Sequence, residues 1–131
     1  MSGSETILRH VNLLSVLTTL WGGLAMLVGV SMLLLAAGAV AAVYDPLGAT
    51  MGFAAGLTAA VFAVIGAFAL IWGGAHAWAA ALLKRRRPLG RILTLGLAVV
   101  DLLVLPFGTA FGAYALWVLL TNDGRRLFER Q

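Results

Sequence analysis

Residues 84–91 read Lys84-Arg85-Arg86-Arg87-Pro88-Leu89-Gly90-Arg91 and stand between two long apolar stretches. Arginine and lysine beside membrane spans stay on the cytoplasmic side, and a proline after them is well suited to open a helix. The other basic residues are Arg9 near the start and Arg125, Arg126 and Arg130 at the end. All nine therefore fall on one side if the chain crosses a membrane an even number of times between patches.

Composition supports a lipid environment. The chain has 131 residues, of which 62% are hydrophobic and 11% charged, and its mean hydropathy is +1.01. Such values lie outside the range of soluble globular proteins. The high isoelectric point does not indicate nucleic acid, because no basic stripe is interleaved with aromatic residues. The sequence holds no cysteine, which excludes disulfides, thiolate metal sites and thiol redox chemistry.

Working outward from the basic patch, the preceding apolar run spans Ala49 to Leu83 and the one before it Val11 to Val43. As single helices each would extend about 50 Å, well beyond a hydrocarbon core of about 30 Å. Tyr44-Asp45-Pro46-Leu47-Gly48 separates them with a turn signal. The first run is also too long for the apolar region of a signal peptide. After the patch, a third span reaches about Leu105, Pro106-Phe107-Gly108-Thr109 supplies a turn, and a fourth span ends near Thr121.

The expected fold is an all-α membrane protein, a four-transmembrane-helix bundle with both termini inside. Its spans cover about 11–43, 49–83, 88–105 and 107–121, so two long helices precede a shorter hairpin, with a cytoplasmic tail over 122–131. Residues 1–131 form a single integral membrane domain. The Ala- and Gly-rich hairpin tip, residues 36–60, is expected to project from the membrane or to tilt. The expected location is a bacterial inner membrane.

Small residues recur at four-residue spacing. Ala69, Gly73, Ala77 and Ala81 form one row, Ala55, Ala59, Ala63 and Ala67 another, and Gly108 pairs with Gly112. Such spacing lets helix backbones approach closely in lipid. Internal packing of one bundle and assembly of a homo-oligomer are both consistent with it. Trp21-Gly22-Gly23 and Trp72-Gly73-Gly74 echo one another on helices of opposite direction, which fits inverted symmetry or a restricted alphabet.

Asp101 is the carboxylate inside a span, and an ionisable residue at that depth is a candidate site. Counted from Arg91 it lies about 15 Å in, and His76, counted back from Lys84, about 12 Å. Folding the last hairpin about Pro106–Gly108 would bring Tyr114 opposite Asp101. Asp101, Tyr114 and His76 thus form a candidate polar cluster. It reads either as a proton- or cation-coupled site or as a structural hydrogen bond, with snorkelling of Asp101 to the outer interface as a further option. No metal site or cofactor is expected, and no nucleophile–base arrangement suggests an enzyme. Lys84, Arg85, Arg86, Arg87 and Arg91 anchor topology or hold anionic lipid head groups.

Residues 84–128, KRRRPLGRILTLGLAVVDLLVLPFGTAFGAYALWVLLTNDGRRLF, resemble a widespread group of small, uncharacterised bacterial four-span membrane proteins. They share a basic turn, a Leu-rich span, a Pro-Phe-Gly-Thr-like turn and a Gly-x-Tyr-x-Leu-Trp helix. The resemblance implies a four-span fold and no specific activity, and in that group an Asn often stands where this chain has Asp101. Small multidrug exporters are similar in size, but this chain lacks the glutamate they carry in the first span. The functional expectation is a structural, assembly or accessory subunit, alone, as a homo-oligomer or in a larger membrane complex. A small transporter or channel working through Asp101 is the alternative. Membrane lipids are the expected partners, and nucleic acid is not.

Overall fold

The computed structural model describes residues 3–44, 52–103, 107–122 and 125–126. Within them the regular structure is all helical, with no strand. The helices are α1 (Gly3–Val43), α2 (Gly52–Lys84), α3 (Pro88–Asp101) and α4 (Phe107–Leu120). Two of them, α1 and α2, are long and apolar enough to cross a membrane. Helices α3 and α4 have 14 residues each, about 21 Å.

Helix and apolar run do not share boundaries. Helix α1 begins at Gly3, eight residues before the apolar run, and carries Glu5 in its first turn. Backbone hydrogen bonding does not require apolar side chains, and a carboxylate beside the free amides of a helix start is stabilising. At the other end of the chain the third helix stops at Asp101 rather than continuing to Leu105. The last amides turn back on the helix, with Leu102 N–H donating to Ala98 O and Leu103 N–H to Val100 O. The Asp45 turn and Pro106 lie outside the described residues.

The chain divides into two compact units, residues 1–21 with 75–131, and residues 22–74. In the first, the core consists of Val11, Leu14, Leu83, Ala98, Ala115, Val118 and Leu119, drawn from all four helices. The buried polar side chains Ser15, Thr18, His76, Thr94 and Asp101 all belong to this unit. Helix α3 shows the polarity most clearly. Its buried face is Gly90, Thr94, Ala98 and Asp101, while Leu89, Ile92, Val99 and Val100 are exposed. A helix in water would reverse that pattern.

The α2–α3 corner is built by specific bonds. Arg87 N–H donates to Leu82 O at 3.0 Å and Arg86 N–H to Leu83 O at 2.9 Å, the paired bonds of a Schellman motif. The position between them needs a left-handed backbone, and Arg86 supplies it with φ 54°. Glycine usually stands there, and a side chain costs about 1 kcal/mol or more. Pro88 then opens α3. Gly90 presses onto the preceding helix so tightly that a Cβ would stand 2.6 Å from the Leu83 amide nitrogen. Arg91 reaches from the first turn of α3 and donates through Nε to Leu119 O at 3.1 Å. A cation on a carbonyl of the last turn of α4 also complements that helix's dipole.

The second unit is an antiparallel pair of helical segments joined by backbone contact. A Cβ on Gly29 would stand 2.9 Å from Gly66 O, one on Gly66 2.9 Å from Gly29 O, and one on Gly73 2.5 Å from Gly22 O. The pairs step by seven residues along each helix. Ala36 and Ala59, the next in the series, are buried as well. In the first unit Ser15 Oγ donates to Ala80 O at 3.3 Å.

This period differs from the four-residue rows expected from the sequence. Of the row Ala69, Gly73, Ala77 and Ala81, Gly73 is buried, Ala69 and Ala77 are half-buried, and Ala81 is exposed. Four residues advance a helix by 400°, so each step leaves the seam by about 40°, whereas seven residues fall about 20° short of two turns. Two helices in extended contact therefore select the seven-residue series. The echo of Trp-Gly-Gly has a packing reason too, since Gly22 and Gly73 face each other.

Candidate functional site

Asp101 is the last residue of α3 and His76 lies two turns before the end of α2, both in the first unit. His76 Nε2 and Asp101 Oδ2 are 2.9 Å apart, and both side chains are 0% exposed. With the carboxylate ionised, Nε2–H donates to it; with the imidazole protonated as well, the contact is a buried ion pair. Snorkelling of Asp101 toward an interface does not occur, because the helix ends with this side chain turned into the core.

The second carboxylate oxygen is differently placed. Among the described residues Asp101 Oδ1 has no hydrogen-bond partner although it is buried, and the same holds for Thr94 Oγ1. Several hydroxyls on helices in this chain bond back to the carbonyl four residues earlier, as Thr18, Thr19, Ser31 and Thr58 do. Thr94 departs from that habit on the face it shares with Asp101. Two buried oxygens with spare capacity thus stand two turns apart on one side of α3, about 10 Å along its axis.

Tyr114 is not part of this pair. Its hydroxyl bonds His10 Nδ1 at 3.0 Å, and the His10 ring meets the Trp117 ring edge-on at 5.5 Å. The expectation of a Tyr114–Asp101 contact fails on register. A Cβ on Gly112 would stand 2.5 Å from Ala98 O, and Thr109 Oγ1 donates to Leu102 O at 3.0 Å. Asp101 is therefore level with about Thr109, and Tyr114 lies some five residues nearer the basic corner, about 7 Å away along the axis. Phe107, Gly108 and Thr109, read in the sequence both as a turn and as the start of the fourth span, form the first turn of α4. Gly108 is buried like Gly112.

His10 lies outside the polar cluster expected from the sequence and forms a second one with Tyr114 and Trp117. It follows Arg9 at the basic end of α1, and Trp117 and Tyr114 lie in the last two turns of α4. The signal available was their shared distance from basic residues, which places them at one membrane face if the charge rule holds. Elsewhere, Trp21 stacks on Phe111 in the first unit with centroids 6.3 Å apart, and Trp72 on Phe68 in the second at 5.9 Å. Lys84, Arg85, Arg86 and Arg87 are exposed, whereas Arg91 is committed to Leu119.

Chemically, the pair can hold and exchange a proton. An imidazole and a carboxylate in contact share one, and the free Oδ1 lone pairs can take another or receive a water hydrogen. No group of three or more His, Cys, Asp or Glu side chains that could hold a metal ion occurs among the described residues. Comparison with protein-family models, with curated proteins and with solved structures finds no match to this chain.

Proposed function

We propose that this chain is an integral protein of the bacterial inner membrane that crosses four times with both termini inside. In this reading it serves as a structural, assembly or accessory subunit, alone or as a homo-oligomer. The first unit, apolar on its outside, carries the membrane reading. Its interior takes Ser15, Thr18, His76, Thr94 and Asp101, while Leu, Ile, Val and Trp side chains face outward, an arrangement that lipid stabilises and water does not. The enclosed His76–Asp101 contact supports the structural role, because a buried pair fixes the register of the helices that bear it. The resemblance of residues 84–128 to small bacterial four-span proteins agrees.

Topology is directly testable because the sequence has no cysteine to remove. Single cysteines replacing Asp45, Arg85 and Gln131 are labelled in intact cells with a membrane-impermeant maleimide. Labelling of the Asp45 site alone is expected; labelling of Arg85 or Gln131 sites overturns the inside assignment. The mass of the detergent-solubilised complex then tests the role, with a heterologous partner expected for an accessory subunit.

A second reading, a small proton-coupled transporter, is favoured by one observation, the buried Asp101 oxygen without a partner. Proteoliposomes loaded with a pH-sensitive dye test it. Proton uptake that survives Asp101→Asn unchanged ends this reading.

A further inference from the structure

Beyond the buried pair, the α2–α3 corner carries a feature that packing does not explain. Arg86 holds a left-handed backbone, φ 54°, at the Schellman position where glycine is unstrained. Lys84, Arg85, Arg86 and Arg87 are all exposed, and none forms an ion pair among the described residues. The fifth cation of the patch, Arg91, is half-buried and donates through Nε to Leu119 O. Four exposed cations thus crowd one tight turn, including one whose side chain strains the backbone.

The start of α3 narrows the ligand. Leu89 and Ile92, in its first two turns, are 60% and 65% exposed. A cationic turn running directly into an exposed aliphatic face matches an amphiphile with a negative head and an apolar tail. A nucleic acid would want aromatic stacking surfaces beside the cations instead, and a free anion would gain nothing from Leu89 and Ile92.

We infer that the corner Lys84–Arg87, with Leu89 and Ile92, is a binding site for an anionic phospholipid. The head-group phosphate sits on the guanidinium groups of Arg85, Arg86 and Arg87, and an acyl chain lies along α3. Arginine at the left-handed position contributes a forked donor there that glycine lacks. The inference rests on the membrane reading above.

The full chain is reconstituted in nanodiscs of phosphatidylcholine with or without phosphatidylglycerol, and lipid retained after extraction into detergent is counted by native mass spectrometry. Selective retention of phosphatidylglycerol is expected. Each basic residue at an anionic membrane surface is worth roughly fivefold in affinity, so Arg86→Gly lowers the preference about fivefold while Arg86→Lys keeps most of it. Because Arg86→Gly relieves backbone strain, its unfolding temperature does not fall, and misfolding cannot imitate the result. Unchanged selectivity in Arg86→Gly and in the triple Gln variant of Arg85, Arg86 and Arg87 overturns the site. Displacement of the lipid by inorganic phosphate alone also overturns it, in favour of a free-anion site. A chain that does not enter phosphatidylcholine nanodiscs overturns the membrane reading, whereas one that enters without lipid preference overturns only this inference.

Discussion

Gly73 approaches Gly22 so closely that a methyl group on it would stand 2.5 Å from the Gly22 carbonyl oxygen. Its neighbour Gly74 has nothing within 4 Å of the same added atom. Two adjacent glycines in one helix therefore face opposite demands, and the contrast isolates close backbone packing from helix propensity.

Gly73→Ala is expected to destabilise by about 1–3 kcal/mol, the usual cost of overpacking. Gly74→Ala is expected to stabilise by up to about 1 kcal/mol, because alanine is the better helix former. Thermal unfolding of the two variants in one detergent measures both. Equal effects of the same sign would remove the seam.

The buried pair has an asymmetric expectation. His76→Leu leaves an uncompensated carboxylate and costs about 3–5 kcal/mol. Asp101→Leu costs less, since the imidazole can stay neutral. The double Leu variant recovers much of the loss, because apolar residues of similar size often replace a buried pair without penalty. A double-mutant cycle from unfolding midpoints reads the coupling, and additive single effects would show that the two side chains do not act together.

Tyr114→Phe removes the bond to His10 and leaves the ring in place. A loss of about 0.6 kcal/mol is expected, the average for a hydrogen bond between membrane helices. Proton uptake or any other property assigned to Asp101 stays unchanged, since Tyr114 and Asp101 belong to separate clusters. Altered behaviour of the Asp101 site in this variant would mean that the clusters communicate.

Gly90→Ala tests the corner from its packing side. The added Cβ would stand 2.6 Å from backbone atoms of Leu82 and Leu83, which cannot yield as a side-chain tip can. A destabilisation of about 1–3 kcal/mol is expected, while Arg86→Gly at the same corner stabilises by about 1 kcal/mol. Unfolding midpoints that move in the same direction for both variants would contradict this corner geometry.

Helical class, the two long apolar helices and the basic corner were legible in residue order, because charge and turn residues punctuate long runs of Leu, Val and Ala. The comparable depth of His76 and Asp101 was legible too, as a count of residues from the nearest cations. Which of the many small residues meet was not. Glycine and alanine are so frequent in α2 that four-residue and seven-residue series coexist, and only the antiparallel contact of two helix backbones selects Gly22, Gly29, Gly66 and Gly73. Register decided the rest. Tyr114 stands nearer the basic corner than Asp101 and meets His10, and Gly112 against Ala98 holds that register. Sequence thus determined the elements and their polarity, through local propensity and hydropathy. Tertiary structure decided the partners, because a shift of a few residues between packed helices changes every side-chain contact while leaving composition and periodicity as they were.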